Sequence, residues 1–562
     1  MSYDLKTLKA PVLKGAALHA FTLALENPLT RSMLLPKLLD DAGFTQFRAR
    51  TVDEEPSVQP PLPHASGESG PVPEALDLLP IAAGSRDQSM GDFSFATVAD
   101  FASAYEAGAT DPEKVAAAVL EAIQSGDALS PPMRTMIASR QDDLMEQARA
   151  SAERHRNGAA LGPLDGVPVA VKDETDQVPY PTTLGTSFQD TPATEDSAVV
   201  ARMRAQGALL IGKANMHEIG LGVTGHNPHH GTARNPYHPG HHTGGSSSGS
   251  AAAVASGLCP IAIGADGGGS IRIPAGFCGV VGLKGTFGRV SEWGTAPLCW
   301  SVAHMGPIAA TAADCALGYA VLAGPDPRYQ AGLGQPPPHL SQLHNGDLSG
   351  IRIGVYRPWF EDAQAPLVAA CQETLERFQA AGAEIIDIEI PDLELGRLAH
   401  TVSIGSEMAT AREEGWDQHR KDYGLDVRVN LTIARTFSAS DYVRAQQART
   451  RMSHIFGDLL RSVDVVATPT TGITAPLIPE DALPAGQSDL ETLSIIMRFA
   501  FPANLCGLPA IAFPVGYDPQ GLPISFQAMG GPWQEHTLLR LAVLAEQWLE
   551  RRKPAVHFDL LP

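Results

Sequence analysis

The stretch Gly244–Val290, GGSSSGSAAAVASGLCPIAIGADGGGSIRIPAGFCGVVGLKGTFGRV, holds two glycine-serine clusters separated by an alanine-rich run and a short apolar run. The first cluster, Gly244 to Ser250, enters Ala251–Ala255, whose small apolar residues read as a buried helix. The second, Asp266-Gly267-Gly268-Gly269-Ser270, follows Ile261-Ala262-Ile263, which reads as a buried strand. The uncharged part, Gly249 to Ala265, falls short of a membrane span, so a helix running into a strand is the better reading.

The same alternation extends outward. Val167-Pro168-Val169-Ala170-Val171 reads as a buried strand ending at Lys172. Further strands are expected at 209–211, 260–264, 351–355, 384–388, 463–468, 509–515 and 523–528. Helical patterns fall between most of them. Upstream helices are expected at 94–108, 112–124 and 138–157, the last with Leu144, Ala148 and Ala152 on one face. The pattern predicts an α/β fold: one large unit around a mainly buried sheet. Residues 325–348 are proline-rich and read as a surface loop.

The 562 residues carry 41 Lys+Arg against 62 Asp+Glu, a net charge of −21. So acidic a chain lacks the concentrated positive charge that nucleic acid requires. The six cysteines, at 259, 278, 299, 315, 371 and 506, show no CxxC spacing and read as buried thiols in a reducing compartment. No signal peptide or transmembrane span is evident, and the expected location is cytoplasmic.

The first 50 residues differ: seven basic against four acidic. Leu13, Ala17, Leu18, Phe21 and Leu25 recur at helical spacing, Asn27-Pro28 interrupts, and Leu29, Met33, Leu34, Leu38 and Leu39 continue in a second short helix. Two compatible readings follow. The pair packs on the body of the protein, or it forms a partly exposed apolar cap that meets a membrane or an oily substrate. Residues 51–80 hold seven prolines and read as an extended connection. The expected division is a helical cap and connection at 1–85 and a catalytic domain at 86–562.

A serine closing a triple-glycine turn has a chemical logic. Glycines let a nucleophile be approached from several sides and let backbone N–H groups converge on an oxyanion. The competing reading is a glycine-rich turn or phosphate cradle, although neither GxxxxGK[ST] nor GxGxxG is met. The nucleophile elbow GxSxG does not flank Ser270. Histidines 226, 229, 230, 238, 241 and 242 cluster in sequence, but without HExxH or a well-placed carboxylate they read as loop residues, and no metal is expected. Lys172, at the end of an apolar strand, is an alternative base, because burial disfavours the ammonium and makes the neutral amine available. A structural lysine paired with Asp173 or Glu174 is the competing reading.

Lys172, Ser246 and Ser270, 74 and then 24 positions apart, together with GGSS and GADGGGSIRIP, resemble the amidase signature family. The resemblance implies a large mixed, twisted sheet covered by helices on both faces, with an N-terminal helical extension. It implies Ser270 as nucleophile, Ser246 as a bridging serine after a cis peptide bond, and Lys172 as base. It further implies an oxyanion hole from the N–H groups of Gly267, Gly268, Gly269 and Ser270, with Arg272 and Ser247 in support. Neither metal nor organic cofactor is implied. LKAPVL (8–13), GKANMHEIG (212–220), ARTFSASDY (434–442) and ATPTTGITAPLIPEDAL (467–483) sharpen the likeness to plant-type fatty acid amide hydrolases. Such enzymes cleave N-acylethanolamines and related lipid amides, often as homodimers whose N-terminal helices border the acyl channel. Leu221 stands where many relatives have Met, beside the bridging serine and in reach of substrate. The alternatives are an aryl-amide, carbamate or short-chain amidase of the same family, a glutamyl-tRNA amidotransferase subunit, and a non-catalytic scaffold.

Overall fold

The computed structural model describes residues 3–8, 10–63 and 77–562. Lys9 and, from the proline-rich connection, Pro71 and Pro73 lie outside the described residues. The fold is built on an eleven-stranded mixed sheet. Its strands are β1 (Met136–Ala138), β2 (Pro168–Lys172), β3 (Leu209–Ala214), β4 (Ile261–Ala265), β5 (Val281–Lys284) and β6 (Met305–Ala309), then β7 (Arg352–Val355), β8 (Glu384–Asp387), β9 (Val465–Pro469), β10 (Ala510–Tyr517) and β11 (Pro523–Gly530). Across the sheet the order is β1-β3-β2-β4-β6-β5-β10-β11-β9-β7-β8.

The central strands are buried on both faces, which is why VPVAV and IAIGA are unbroken apolar runs rather than alternating ones. β2 runs parallel to both β3 and β4, whereas β4, β6, β5, β10, β11 and β9 pair antiparallel in succession. Every expected strand is present with small shifts at its ends. Three strands of this sheet were not anticipated, β1, β5 and β6, nor was the short antiparallel pair Leu13–Lys14 and Gln487–Ser488 outside it.

Seven helices matter for the site: α1 (Gly15–Glu26), α2 (Pro28–Asp41), α3 (Ser248–Ala255), α4 (Arg272–Phe277), α5 (Leu393–Ala411), α6 (Leu425–Ala434) and α7 (Ala439–Ser462). α3 is wholly buried and packs against the interior strands β2, β3, β4 and β6. A Cβ at Gly249 would come within 2.2 Å of the Thr135 carbonyl oxygen, so only glycine allows this approach.

The N-terminal helices form where the spacing placed them. Asn27 caps α2 by accepting from the N–H groups of Leu29 and Thr30, and Pro28 opens that helix. Leu18 and Leu25 of α1 are fully buried beside Val429 of α6. Each such leucine contributes about 1.5–3 kcal/mol. Glu26 accepts two hydrogen bonds from Arg428, at 2.9 and 2.8 Å, and Arg48 donates twice to Asp441 at 2.8 Å. The pair therefore packs on the body. One expectation is corrected: Met33 does not join the inward apolar face. It is 79 % exposed, as is Leu29, because the inward stripe of α2 runs through Leu34, Leu38 and Leu39.

Candidate active site

Because β2 and β4 are parallel neighbours, their carboxyl ends emerge at one edge of the sheet. Lys172 ends β2, and the Asp266–Ser270 turn follows β4 directly. The turn before α3 brings Ser246 between them. Lys172 Nζ donates to Ser246 Oγ at 2.8 Å and to the Ala265 carbonyl at 3.3 Å. It also lies 3.1 Å from Glu174 Oε2. The serine contact and the carboxylate pairing thus coexist. Asp173, the other suggested partner, instead faces Lys213 at 3.6 Å.

The Gly245–Ser246 peptide is cis. Ser247 fastens the start of α3 to the end of β4: its Oγ donates to the Ala265 carbonyl at 3.2 Å and accepts from the Ala265 N–H at 3.3 Å. Its N–H donates to the Ser270 carbonyl at 3.3 Å. Between Ser246 and Ser270 no side-chain hydrogen bond is made among the described residues. Such contacts often tighten only when substrate binds.

Asp266 organises the turn. Its carboxylate accepts from the N–H groups of Gly269 at 2.6 Å and Ile271 at 3.1 Å, and from the Arg272 guanidinium at 3.0 and 3.1 Å. Burial pushes this carboxyl up, but the Arg272 and Lys284 charges and the Asn504 amide outweigh it and hold Asp266 well below the usual carboxylate range. Arg272 is fully buried and also donates to Gln527, Asn504 and the Ala500 carbonyl. It supports the turn without facing the cavity.

The expected oxyanion hole needs one correction. The Gly269 N–H is occupied by Asp266, so it cannot serve an oxyanion at the same time. The other amides are aimed by their carbonyl partners. Asn504 holds the Asp266 carbonyl at 2.8 Å, His400 Nε2 holds that of Gly267 at 2.8 Å, and the Ile273 N–H holds that of Gly269 at 2.7 Å. In a trans peptide the N–H points opposite to the carbonyl. Gly267, Gly268 and Ser270 therefore present theirs away from these anchors. Gly269 itself sits at φ +115°, a conformation that side chains rarely adopt.

A cavity of about 340 Å³ opens onto this turn, and Gly268 and Ser270 form part of its wall. Leu221 and Val223, from the loop that passes Ser246, form another part, with Ile404 and Met408 of α5. The N-terminal segment contributes Leu8, Leu13, Phe21 and Leu38, and α6 and the 488–501 segment contribute Val429, Ile433, Leu493 and Phe501 among others. The lining is mostly apolar.

The histidine cluster is dispersed among hydrogen-bonding tasks. His229 meets Glu218 at 2.7 Å, His230 the Thr186 carbonyl at 2.9 Å, and His241 the Ala475 carbonyl at 2.7 Å. Among the described residues no three His, Cys, Asp or Glu are grouped to hold a metal ion. Burial pushes His242 down to about 3 and His400 to about 4, against 6.5 for an ordinary histidine. Their folded values are depressed. The stability they contribute is therefore complete above about pH 6.5 and is lost as the pH falls through that window. Thermal unfolding of His242→Gln should show a shallower decline in Tm between pH 6.5 and 4 than the wild type; equal slopes would contradict the assignment.

His400, Asn504 and Gln527 have no counterpart in the expected site. Each is a single polar residue in an otherwise ordinary helix or strand pattern.

A family model described as Amidase matches residues 117–539. Over its whole length the chain is 39 % identical to the fatty acid amide hydrolase of Arabidopsis thaliana, covering 97 % of that protein. It is 40 % identical to the fatty acid amide hydrolase of Oryza sativa subsp. japonica, again over its whole length and 96 % of that protein. Among solved structures, the peptide amidase of Stenotrophomonas maltophilia aligns with a TM-score of 0.69 at 28 % identity, over 82 % of this chain and 98 % of that one.

Proposed function

Because the chain belongs to the amidase signature family, and is an amidase acting on amide bonds, we propose that it hydrolyses N-acyl amides with long apolar acyl chains, N-acylethanolamines among them. One observation carries this reading: a single cavity is walled both by Ser270 and by apolar side chains of the N-terminal segment. An acyl chain lying against Phe21 and Leu38 would bring its carbonyl to the glycine turn.

In this mechanism Lys172 takes a proton from Ser246 as Ser246 takes one from Ser270, and Ser270 Oγ attacks the amide carbonyl. The N–H groups of Gly267, Gly268 and Ser270 hold the oxyanion. Glu174, 3.1 Å from Lys172 Nζ, steadies the ammonium formed when the relay has run. The relay then returns the proton to the leaving amine, since an amide anion is a poor leaving group. Water, activated by the same relay, releases the acid from the acyl-enzyme.

Residues 1–85 act in this reading as a cap over the acyl channel, and residues 86–562 as the catalytic body. Leu23, Leu29 and Met33 are exposed on α1 and α2, which supports peripheral contact with a membrane surface. No helix among the described residues is long and apolar enough to cross one. All six cysteines are buried as free thiols, which supports a reducing, cytoplasmic location. The homodimer belongs to the same proposal and is checked by sedimentation. The amidotransferase alternative is less well supported, because the match to the fatty acid amide hydrolases runs the full length of the chain and includes the cap.

A hydrolysis panel of graded acyl length tests the assignment. Each buried CH₂ is worth about 0.8 kcal/mol, or about fourfold, so kcat/KM should rise with chain length until the cavity is filled. In a folded Phe21→Asn/Leu38→Asn variant this slope should flatten while a short amide is cleaved nearly as before. A flat profile in the wild type would favour the short-chain or aryl-amide alternative. Equal loss of short- and long-chain activity in the variant would make the cap purely structural.

A further inference from the structure

We infer that His400, on α5, is a positioning residue that aims the Gly268 N–H into the oxyanion site. The inference rests on the reading of Ser270 as nucleophile. A carbonyl oxygen can only accept, so the 2.8 Å contact between His400 Nε2 and the Gly267 oxygen requires the proton on Nε2. The Gly267 carbonyl and the Gly268 N–H belong to one peptide plane. Fixing the oxygen on the His400 ring directs the hydrogen to the opposite side of that peptide plane, in a turn whose Gly268 and Ser270 line the same cavity as His400.

The local packing fits this task and leaves little room for another. A Cβ at Gly268 would lie 2.8 Å from His400 Cε1 and 3.1 Å from Met497 Cε, so the ring reaches the turn only because residue 268 is glycine. His400 is 2 % exposed, and burial holds it neutral above about pH 4. An uncharged imidazole donates to the carbonyl without placing a full charge beside the turn. The bond also polarises the Gly267–Gly268 amide, which makes its N–H a better donor to a developing negative charge. Asn504 performs the matching service one peptide earlier, at the Asp266 carbonyl, from a different segment. Two unrelated parts of the chain thus set two successive amides. His400 does not act as a base through this bond, since its Nε2 proton is already engaged with the Gly267 carbonyl.

The test compares His400→Leu and His400→Gln with the wild type and with Ser270→Ala. Leucine removes the donor; glutamine offers an amide N–H in its place. Loss of a direct oxyanion donor costs about 10²–10³ in kcat. Loss of the pin leaves the amide present but free to turn, so His400→Leu should lower kcat about 10- to 100-fold, with KM for a short amide within about threefold. Affinity for a short trifluoromethyl ketone, whose adduct places an oxyanion in the hole, should fall by the same factor as kcat/KM. His400→Gln should recover most of both losses. A folded His400→Leu variant with near-normal kcat, or one that loses only KM for long chains, would overturn the inference, as would weakened turnover with unchanged ketone affinity. If Ser270→Ala retains turnover, the nucleophile assignment fails instead, and that result is separate from the His400 comparison.

Discussion

Replacing Ser270 with alanine is expected to abolish turnover and to block covalent labelling by fluorophosphonate probes. Ser270 ends a turn whose Gly267 and Gly268 amides are aimed by Asn504 and His400, and it lines the cavity that reaches the N-terminal helices. In relays of this kind, removing the nucleophile costs about as much as removing the whole constellation, about 10⁶ in kcat. The fold should survive, because the turn is held by Asp266, Arg272 and Asn504 and not by the Ser270 hydroxyl. A folded Ser270→Ala protein that still took up one label per active site would show that another residue attacks.

The second large effect is expected at Lys172. Its amine donates to Ser246 Oγ at 2.8 Å and is buried at the end of β2, which is where the proposed relay begins or ends. A general acid-base group contributes about 10²–10⁴-fold, and more when it works as part of a shared relay. Lys172→Ala should lose at least that much. Lys172→Arg should not restore it, since a guanidinium keeps the charge but does not give up its proton near neutral pH. Near-normal rates in the arginine variant would leave Lys172 as the cationic partner of Glu174 and nothing more.

Much of this arrangement is legible in the sequence, for different reasons. β2 and β4 stand out because strands buried on both faces need unbroken apolar runs, and VPVAV and IAIGA supply them. β6, MGPIA, does not stand out, because its Gly and Pro are ordinarily signs of a break, and here it is held between β4 and β5. β5, VGLK, lies hidden within the glycine-rich stretch. Lys172, Ser246 and Ser270 emerge through a long motif, not through periodicity. His400 does not emerge, because LELGRLAHTVSIGSEM reads as an ordinary buried helix and only the fold brings its histidine onto the Gly267 carbonyl. Spacing predicts α1 and α2 correctly but does not say which apolar stripe of α2 faces inward, and so misplaces Met33. The occupied Gly269 amide is likewise invisible to pattern, since it depends on how the Asp266 carboxylate folds back on its own turn.

The most direct test of the central claim is to catch the acyl-enzyme. Wild-type protein turning over a long-chain N-acylethanolamine would be quenched in acid within the first turnovers, digested, and its peptides mapped by mass spectrometry. The mechanism requires the acyl group as an ester on Ser270, and its absence from Ser270→Ala treated in the same way. Acylation of a different residue, or sustained turnover in which isotopically labelled water shows direct hydrolysis without an acyl-enzyme, would contradict it.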